Sequence, residues 1–230
     1  MTALTPPPPV IAVTGLAFEA RIAAGEGVTV ICGRDEGLMI AELERALASG
    51  ASGIVSFGTA GGLAPHLAPG DWVVAEAIVT DAQRWAADPV WSAKLLAKLP
   101  HATRGPIAGV DVPVADAAAK LALHDRTAAV AADMESHIAA RVASAHGLPF
   151  AACRVIIDPA HRTLPPAALA AMRADGGVNL PAVLESLARR PSQLPLLLRL
   201  ALEARGARAA LFRGRRLLGA GFGLLDFPEL

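Results

Sequence analysis

The sequence predicts an α/β fold of three layers, α/β/α, with a central twisted sheet that is mostly parallel or mixed. Three observations carry this. Short apolar runs rich in Val, Ile and Ala alternate with helix-like stretches along most of the chain. The runs are apolar at successive positions, as strands covered on both faces are. The 230 residues are 53% hydrophobic with a mean hydropathy of +0.45, enough for one sizeable core, and this excludes a disordered or fibrous chain. Only 4% of residues are aromatic and tyrosine is absent, so small aliphatic side chains are expected to fill the layers.

After a proline run at 6–9, residues 10–14 and 28–32 read as buried strands that stop at Gly15 and Gly33. Leu38, Ile40, Ala41, Leu43, Ala46 and Leu47 recur at helical spacing with Glu42, Glu44 and Arg45 opposite, which predicts a helix over 38–48. Residues 53–57, 72–75 and 106–109 read as strands, 115–123 as a helix and 127–132 as a strand. The segment 134–145 has helix length and the stop His146-Gly147. A long strand over 150–157 ends at Asp158-Pro159, and a helix over 166–172 opens with proline, whose missing N–H is harmless in a first turn. No internal repeat is evident.

In such a fold ligands sit at the carboxyl ends of strands. Gly15, Gly33, the glycines within 58–62, Asp133-Met134-Glu135 and Asp158 all follow an apolar run. In Ser56-Phe-Gly-Thr-Ala-Gly-Gly-Leu63 the three glycines let backbone N–H groups approach an anion or a sugar, or simply make a turn. The stretch lacks a Walker lysine, and Pro65 and Pro69 oppose the helix a dinucleotide fingerprint needs next. Asp133 and Glu135 stand at a strand-to-helix junction. They read either as helix caps or, for Glu135, as an acceptor for sugar hydroxyls. Asp158, after so apolar a strand, is expected to be desolvated, with a raised pKa that keeps it available as a proton donor. An N-cap before Pro159 or an ion pair with Arg154 is the alternative. Glu19 is also what any first helical turn would favour.

Twenty-one basic residues balance 21 acidic ones, but not evenly. Residues 1–188 hold 13 basic against 18 acidic, whereas 189–216 hold eight arginines and only Glu203. Pro191 and Pro195 suggest a linker, followed by an apolar helix broken near Gly206. The arginines read as a solvated helix face or as a contact to an anionic membrane surface. Nucleic acid is disfavoured because no aromatic residues interleave them. No apolar span is long enough to cross a membrane and no leader pattern opens the chain, so a cytoplasmic location is expected, with 189–216 the segment for a peripheral contact with the inner face of the membrane. Cys32 and Cys153 are isolated and expected as buried free thiols, and the six histidines form no metal-binding pair, so no metal is expected.

Four stretches in order carry a resemblance: 15–21; 56–63 with Pro69-Gly-Asp-Trp-Val-Val74; Ala132-Asp-Met-Glu-Ser136; and Arg154-Val-Ile-Ile-Asp158. Over about 10–190 the chain resembles the purine nucleoside phosphorylase and methylthioadenosine/adenosylhomocysteine nucleosidase superfamily, which leaves 191–230 as an Arg/Leu-rich extension. Within it the chain is most similar to the hopanoid-associated phosphorylases. The resemblance implies cleavage of the N-glycosidic bond of a 5′-substituted adenosine, adenosylhopane in hopanoid lipid synthesis, releasing adenine by phosphorolysis or hydrolysis. It implies Asp158 as the acid that protonates purine N7, Glu135 as the carboxylate on the ribose hydroxyls, and Met134 as the side chain packed on the sugar. Thr59, Ala60, Gly61 and Gly62 fall in the stretch lining the ribose and nucleophile site, beside Gly15. Glu19 matches a water-orienting glutamate only across a one-residue gap. Arg21, Arg34 and Thr59 are the candidates for phosphate, which is the co-substrate if the bond is phosphorolysed; no cofactor is implied, and a homo-oligomer is.

Two departures stand out. The segment 79–105 is short and offers Arg84, Trp85 and Trp91 in place of tyrosines and phenylalanines, and Ile157 stands where a serine commonly precedes the acid. An open, apolar entry side follows, as a bulky 5′ substituent requires. Rival readings are a general purine nucleoside phosphorylase or methylthioadenosine nucleosidase, a nicotinamide-dependent oxidoreductase, and a non-catalytic nucleoside-binding module that would keep Glu135 and Met134 but not need Asp158.

Overall fold

Strand and helix alternate along the chain in the computed structural model, which describes residues 7–99, 101–171, 177 and 179–225. The elements are β1 (Val10–Thr14), α1 (Ala17–Ala23), β2 (Val28–Cys32), α2 (Glu36–Ala48), β3 (Gly53–Gly62), β4 (Trp72–Val79), β5 (Arg84–Ala86) and α3 (Pro89–Lys98). They continue with β6 (Thr103–Gly109), α4 (Ala117–Thr127), β7 (Ala131–Asp133), α5 (Ser136–Ala145), β8 (Phe150–Asp158), α6 (Pro166–Ala170), α7 (Leu180–Arg189) and α8 (Leu194–Leu218).

The eight strands form one mixed sheet, as expected. β1 lies parallel between β2 and β3, and β3 runs parallel to β8. β8 continues antiparallel to β4, β4 pairs with β6 in parallel, β6 with β7 in parallel, and β7 returns to the end of β3 at Gly61 and Gly62. Five strands therefore close on themselves, and β3 is long enough to belong to both the open sheet and this ring. α2 and α5 pack on one face through Met39, Leu43, Ile138 and Ala139. On the other face α1, α3 and α8 contribute Ala23, Trp91, Leu95, Ala207 and Leu211.

Several expectations are corrected. The glycine stretch after residue 57 is not a loop: β3 runs through Gly62, because the backbone there finds partners on β7 and β8. The strand expected over 127–132 shrinks to β7, since α4 continues to Thr127 and ends at Ala128 in a left-handed conformation. β5, α3 and α7 had no distinct periodic signal. The helix expected over 166–172 is α6, which ends at Ala170; Met172 lies outside the described residues, as do Asp226 and Glu229. α8 is not broken at Gly206, whose backbone faces open space. Nor is its second half an appendage, because Ala207, Leu211 and Leu218 are buried in the main core. Cys153 is buried as expected while Cys32 is only half-buried, and burial pushes both thiols up, Cys153 to about 12.

Candidate active site

One pocket opens at the carboxyl ends of β1, β3, β7 and β8, and it gathers most of the residues singled out above: Gly15, Glu19, Arg34, Thr59, Ala60, Gly61, Met134, Glu135 and Asp158 all line it. Two of the residues assigned a substrate or phosphate role do not. Gly62 follows Gly61 on a strand, so it faces the opposite way, toward Ile156. Arg21 lies two positions past Glu19 on α1, about 200° around the helix, and lines a separate groove against α8.

The charged heart of the site is Arg154, fully buried on β8 and missing from the expected set except as a partner for Asp158. It pairs instead with two other carboxylates. Its Nε lies 3.0 Å from Asp133 and its Nη2 3.4 Å from Glu135, while Nη2 donates to the Ser56 hydroxyl at 2.5 Å and the Ser136 hydroxyl at 3.2 Å. Asp133 in turn accepts from the Glu135 and Ser136 N–H groups at 3.0 and 2.7 Å, so its side chain caps α5 from two positions before the N-cap, which is Glu135 and not Asp133. That cap turns Glu135 into the pocket. Burial pushes the Glu135 carboxyl up to about 7, against the pull of Arg154 and with the help of nearby Asp133 and Glu19.

Gly15 makes room for this carboxylate. A Cβ there would sit 2.2 Å from Glu135 Oε1, a distance no atom pair tolerates. Gly15→Ala must displace a carboxylate held by Arg154 and Arg34. It is expected to lower kcat/KM on the order of 10²-fold through misplacement alone. An unchanged kcat/KM in the purified variant would show that Glu135 does not touch the substrate.

Glu19 is buried and saturated. Its carboxylate accepts from the Gly15 and Leu16 N–H groups at 3.1 and 3.0 Å and from the Thr59 N–H and hydroxyl at 2.8 and 2.7 Å. Four donors fill the four acceptor positions of a carboxylate. Glu19 thus clamps the turn after β1 to β3, and burial raises its pKa although Arg154 and these hydrogen bonds oppose the shift. A Cβ on Gly58 would collide with both Glu19 and Arg154, which explains glycine beside Thr59.

At the other end of the pocket Asp158 is buried against Gly61, and its partner is a residue the sequence did not flag. Lys120 of α4, 1% exposed, forms a close ion pair with Asp158 and also donates to the Pro159 and Arg162 carbonyls at 3.2 and 3.0 Å. All three of its N–H donors are used. Burial raises the Asp158 pKa, as expected, while the Lys120 ammonium pulls it down. Nothing in the Ala-rich start of α4 distinguishes Lys120 from a surface lysine; only folding reveals its burial.

The remaining wall is apolar, formed by Val110, Pro113, Val114, Ile157 and Leu164. The tryptophans expected on the entry side are elsewhere: Trp91 is buried in the core with its indole N–H on the Phe222 carbonyl at 3.0 Å, and neither it nor Trp85 lines the pocket. No group of three or more potential metal ligands occurs among the described residues.

Solved structures with this fold include S-adenosylhomocysteine nucleosidase from Streptococcus pyogenes in complex with 5-methylthiotubericidin, 21% identical over 69% of this chain and 87% of that one, with a TM-score of 0.59. A methylthioadenosine/S-adenosylhomocysteine nucleosidase from S. pneumoniae with a transition-state inhibitor is 16% identical over 90% and 97% of the two chains, with a TM-score of 0.63. A futalosine hydrolase mutant from Helicobacter pylori is 16% identical over 66% and 88%, with a TM-score of 0.57. No curated protein matches the sequence. The sequence profile of the family described as the phosphorylase superfamily matches residues 7–189, most of the chain, and covers every carboxylate of the pocket, so the chain belongs to the phosphorylase superfamily.

Proposed function

We propose that the protein cleaves the N-glycosidic bond of a 5′-substituted adenosine and releases adenine. The observation that carries this is one pocket in which, of four buried carboxylates, Glu19 and Asp133 are committed to backbone N–H groups, while Glu135 faces Arg154 and Arg34 and Asp158 faces Lys120. Breaking such a bond leaves positive charge on the sugar and negative charge on the base. Glu135 stabilises the first by accepting from the ribose hydroxyls, with Met134 packed on the ring; Asp158 relieves the second by delivering a proton to N7. Hydrogen bonds to sugar hydroxyls that tighten as the charge develops lower the barrier further, and neither step calls for a cofactor.

Phosphate is favoured as the nucleophile. Arg34 lines the pocket 3.9 Å from Glu135 with a buried Nε that has no hydrogen-bond partner, which suits an anion. Glu19 has no acceptor position left for orienting a water. The apolar wall at Val110, Pro113, Val114 and Leu164 supports an apolar 5′ substituent, and with the sequence resemblance it supports adenosylhopane as the substrate. The same resemblance supports a homo-oligomer. No helix among the described residues is long and apolar enough to cross a membrane.

Incubation with 5′-alkyl adenosines, with and without phosphate, tests the reading. Free adenine and a sugar 1-phosphate are expected, with longer alkyl groups preferred. Adenine release unaffected by phosphate would instead identify water as the nucleophile, and no release from any adenosine would end the proposal. The pH dependence adds a second check. Glu135 accepts best as the anion, and its pKa near 7 means protonation sets in as pH falls through that value. An acid-side fall of kcat/KM below about pH 7 is therefore expected, and it should vanish in Glu135→Gln. A limb that persists in the variant would belong to another group.

A further inference from the structure

α8 turns two different faces to the molecule and to solvent. At about 100° per residue, Ala207, Ala210, Leu211, Gly214 and Leu218 fall on the side buried against the sheet. The opposite side, an arc of about 80°, carries Leu194, Leu198, Leu202, Arg205, Phe212 and Arg216, all exposed. Leu202 is 70% exposed and Phe212 54%. α7 adds exposed Leu180 and Leu184. A line of bare leucines is what a protein in water normally buries.

Arginine is interspersed with these leucines. Arg205, Arg213 and Arg216 form no ion pair among the described residues, while the one acidic residue of the helix, Glu203, is already shared by Arg162 and Arg199. Beside the leucines a groove runs between α1 and α8, lined by Phe18, Arg21, Arg205, Arg208, Phe212 and Arg216, with Glu26 its one carboxylate. The Arg208 guanidinium lies 5.4 Å over the Phe18 ring. Arg21 lines this outer groove, not the pocket.

We propose that the outer face of α8, with the α1–α8 groove, docks on an anionic phospholipid bilayer. Leucine and phenylalanine would enter the acyl boundary while the guanidinium groups meet the phosphates above it. A second copy of the chain fits poorly, because a two-fold contact through this face would gather the unpaired arginines of both copies with Glu26 as the one carboxylate of each groove. Nucleic acid would meet the arginines but leave the leucines bare. The same helix touches the pocket's supports: Glu203 pairs with Arg162, whose carbonyl holds Lys120 against Asp158. The surface stands on its own geometry and does not require the substrate to be a particular nucleoside.

The test is co-sedimentation of the full chain with phosphatidylcholine vesicles and with phosphatidylcholine vesicles containing phosphatidylglycerol. Binding is expected only to the second, weakening as salt rises. Arg205→Glu with Arg216→Glu should lose at least about tenfold in vesicle affinity. Leu198→Ser with Leu202→Ser should lose several-fold while adenine release from a water-soluble 5′-substituted adenosine stays unchanged. Equal binding to both vesicles, no binding to either, or variants that bind like the parent would overturn the proposal. So would duplex DNA binding that survives the serine substitutions, or a dimer that they dissociate in sedimentation velocity. Loss of adenine release in the parent protein would bear on the glycosidic reading alone.

Discussion

Asp158→Asn is expected to slow adenine release by about 10²–10⁴-fold while leaving nucleoside binding largely in place. The amide is the same size and keeps the packing against Gly61, but it has no proton to give to N7. Glu135, Met134 and the Glu19–Thr59 clamp on the rest of the pocket wall are untouched. The signature is a fall in kcat with little change in nucleoside affinity, read from single-turnover release and equilibrium binding. Full retention of kcat would remove Asp158 from the chemistry. Lys120→Met probes the same acid from behind. The ammonium lowers the Asp158 pKa, so its loss lets the protonated form persist to higher pH, and the alkaline limb of the rate profile should move upward. Lys120 acts here as a positioning residue. A limb that stays where it was would mean that some other group limits the rate at high pH.

Much of this site was legible because it is built from local signals. A carboxylate after an apolar strand, a carboxylate pair before a helix and glycines at strand ends are visible without neighbours, and Asp158, Glu135, Gly15 and Gly61 follow from them. What escaped was every partner supplied from a distance. Lys120 sits 38 positions from Asp158 and Arg154 is 18 or more from its contacts, so only the crossing of β8 with β3 and the packing of α4 bring them in. An arginine inside an apolar run was itself a signal, since a charge among Ala152, Cys153, Val155 and Ile156 must be buried and paired. The sequence could not say with what. Period and helix ends were misread where tertiary contacts override them: β3 continues through its glycines because β7 and β8 satisfy its backbone, and α8 passes Gly206 because its flanking turns pack or are solvated as one rod.

Arg154→Met is expected to be the most destabilising single change in the pocket, by about 3–5 kcal/mol, although methionine nearly fills the arginine's volume. The cost is electrostatic. Arg154 is the fully buried cation among Asp133, Glu135 and Glu19, and without it Asp133 and Glu135 lose their closest charge partner. The loss should also depend on pH in a defined sense. Burial already holds the carboxyls of Glu135 and Glu19 above their ordinary values while Arg154 pulls them back, so its removal raises both further. Between the unfolded carboxyl pKa and these raised folded values the folded state binds more protons than the unfolded one, and stability falls as pH rises. Arg154→Met should therefore recover part of its deficit near about pH 5.5 and lose most near about pH 8, where the unpaired carboxylates must stay charged. Arg154→Lys restores one positive charge without the fork that reaches Ser56 and Ser136, and should fall between the two. Urea unfolding at both pH values gives the answer. A deficit below about 1 kcal/mol, or one that is the same at both pH values, would mean that the carboxylates are neutralised by something other than Arg154.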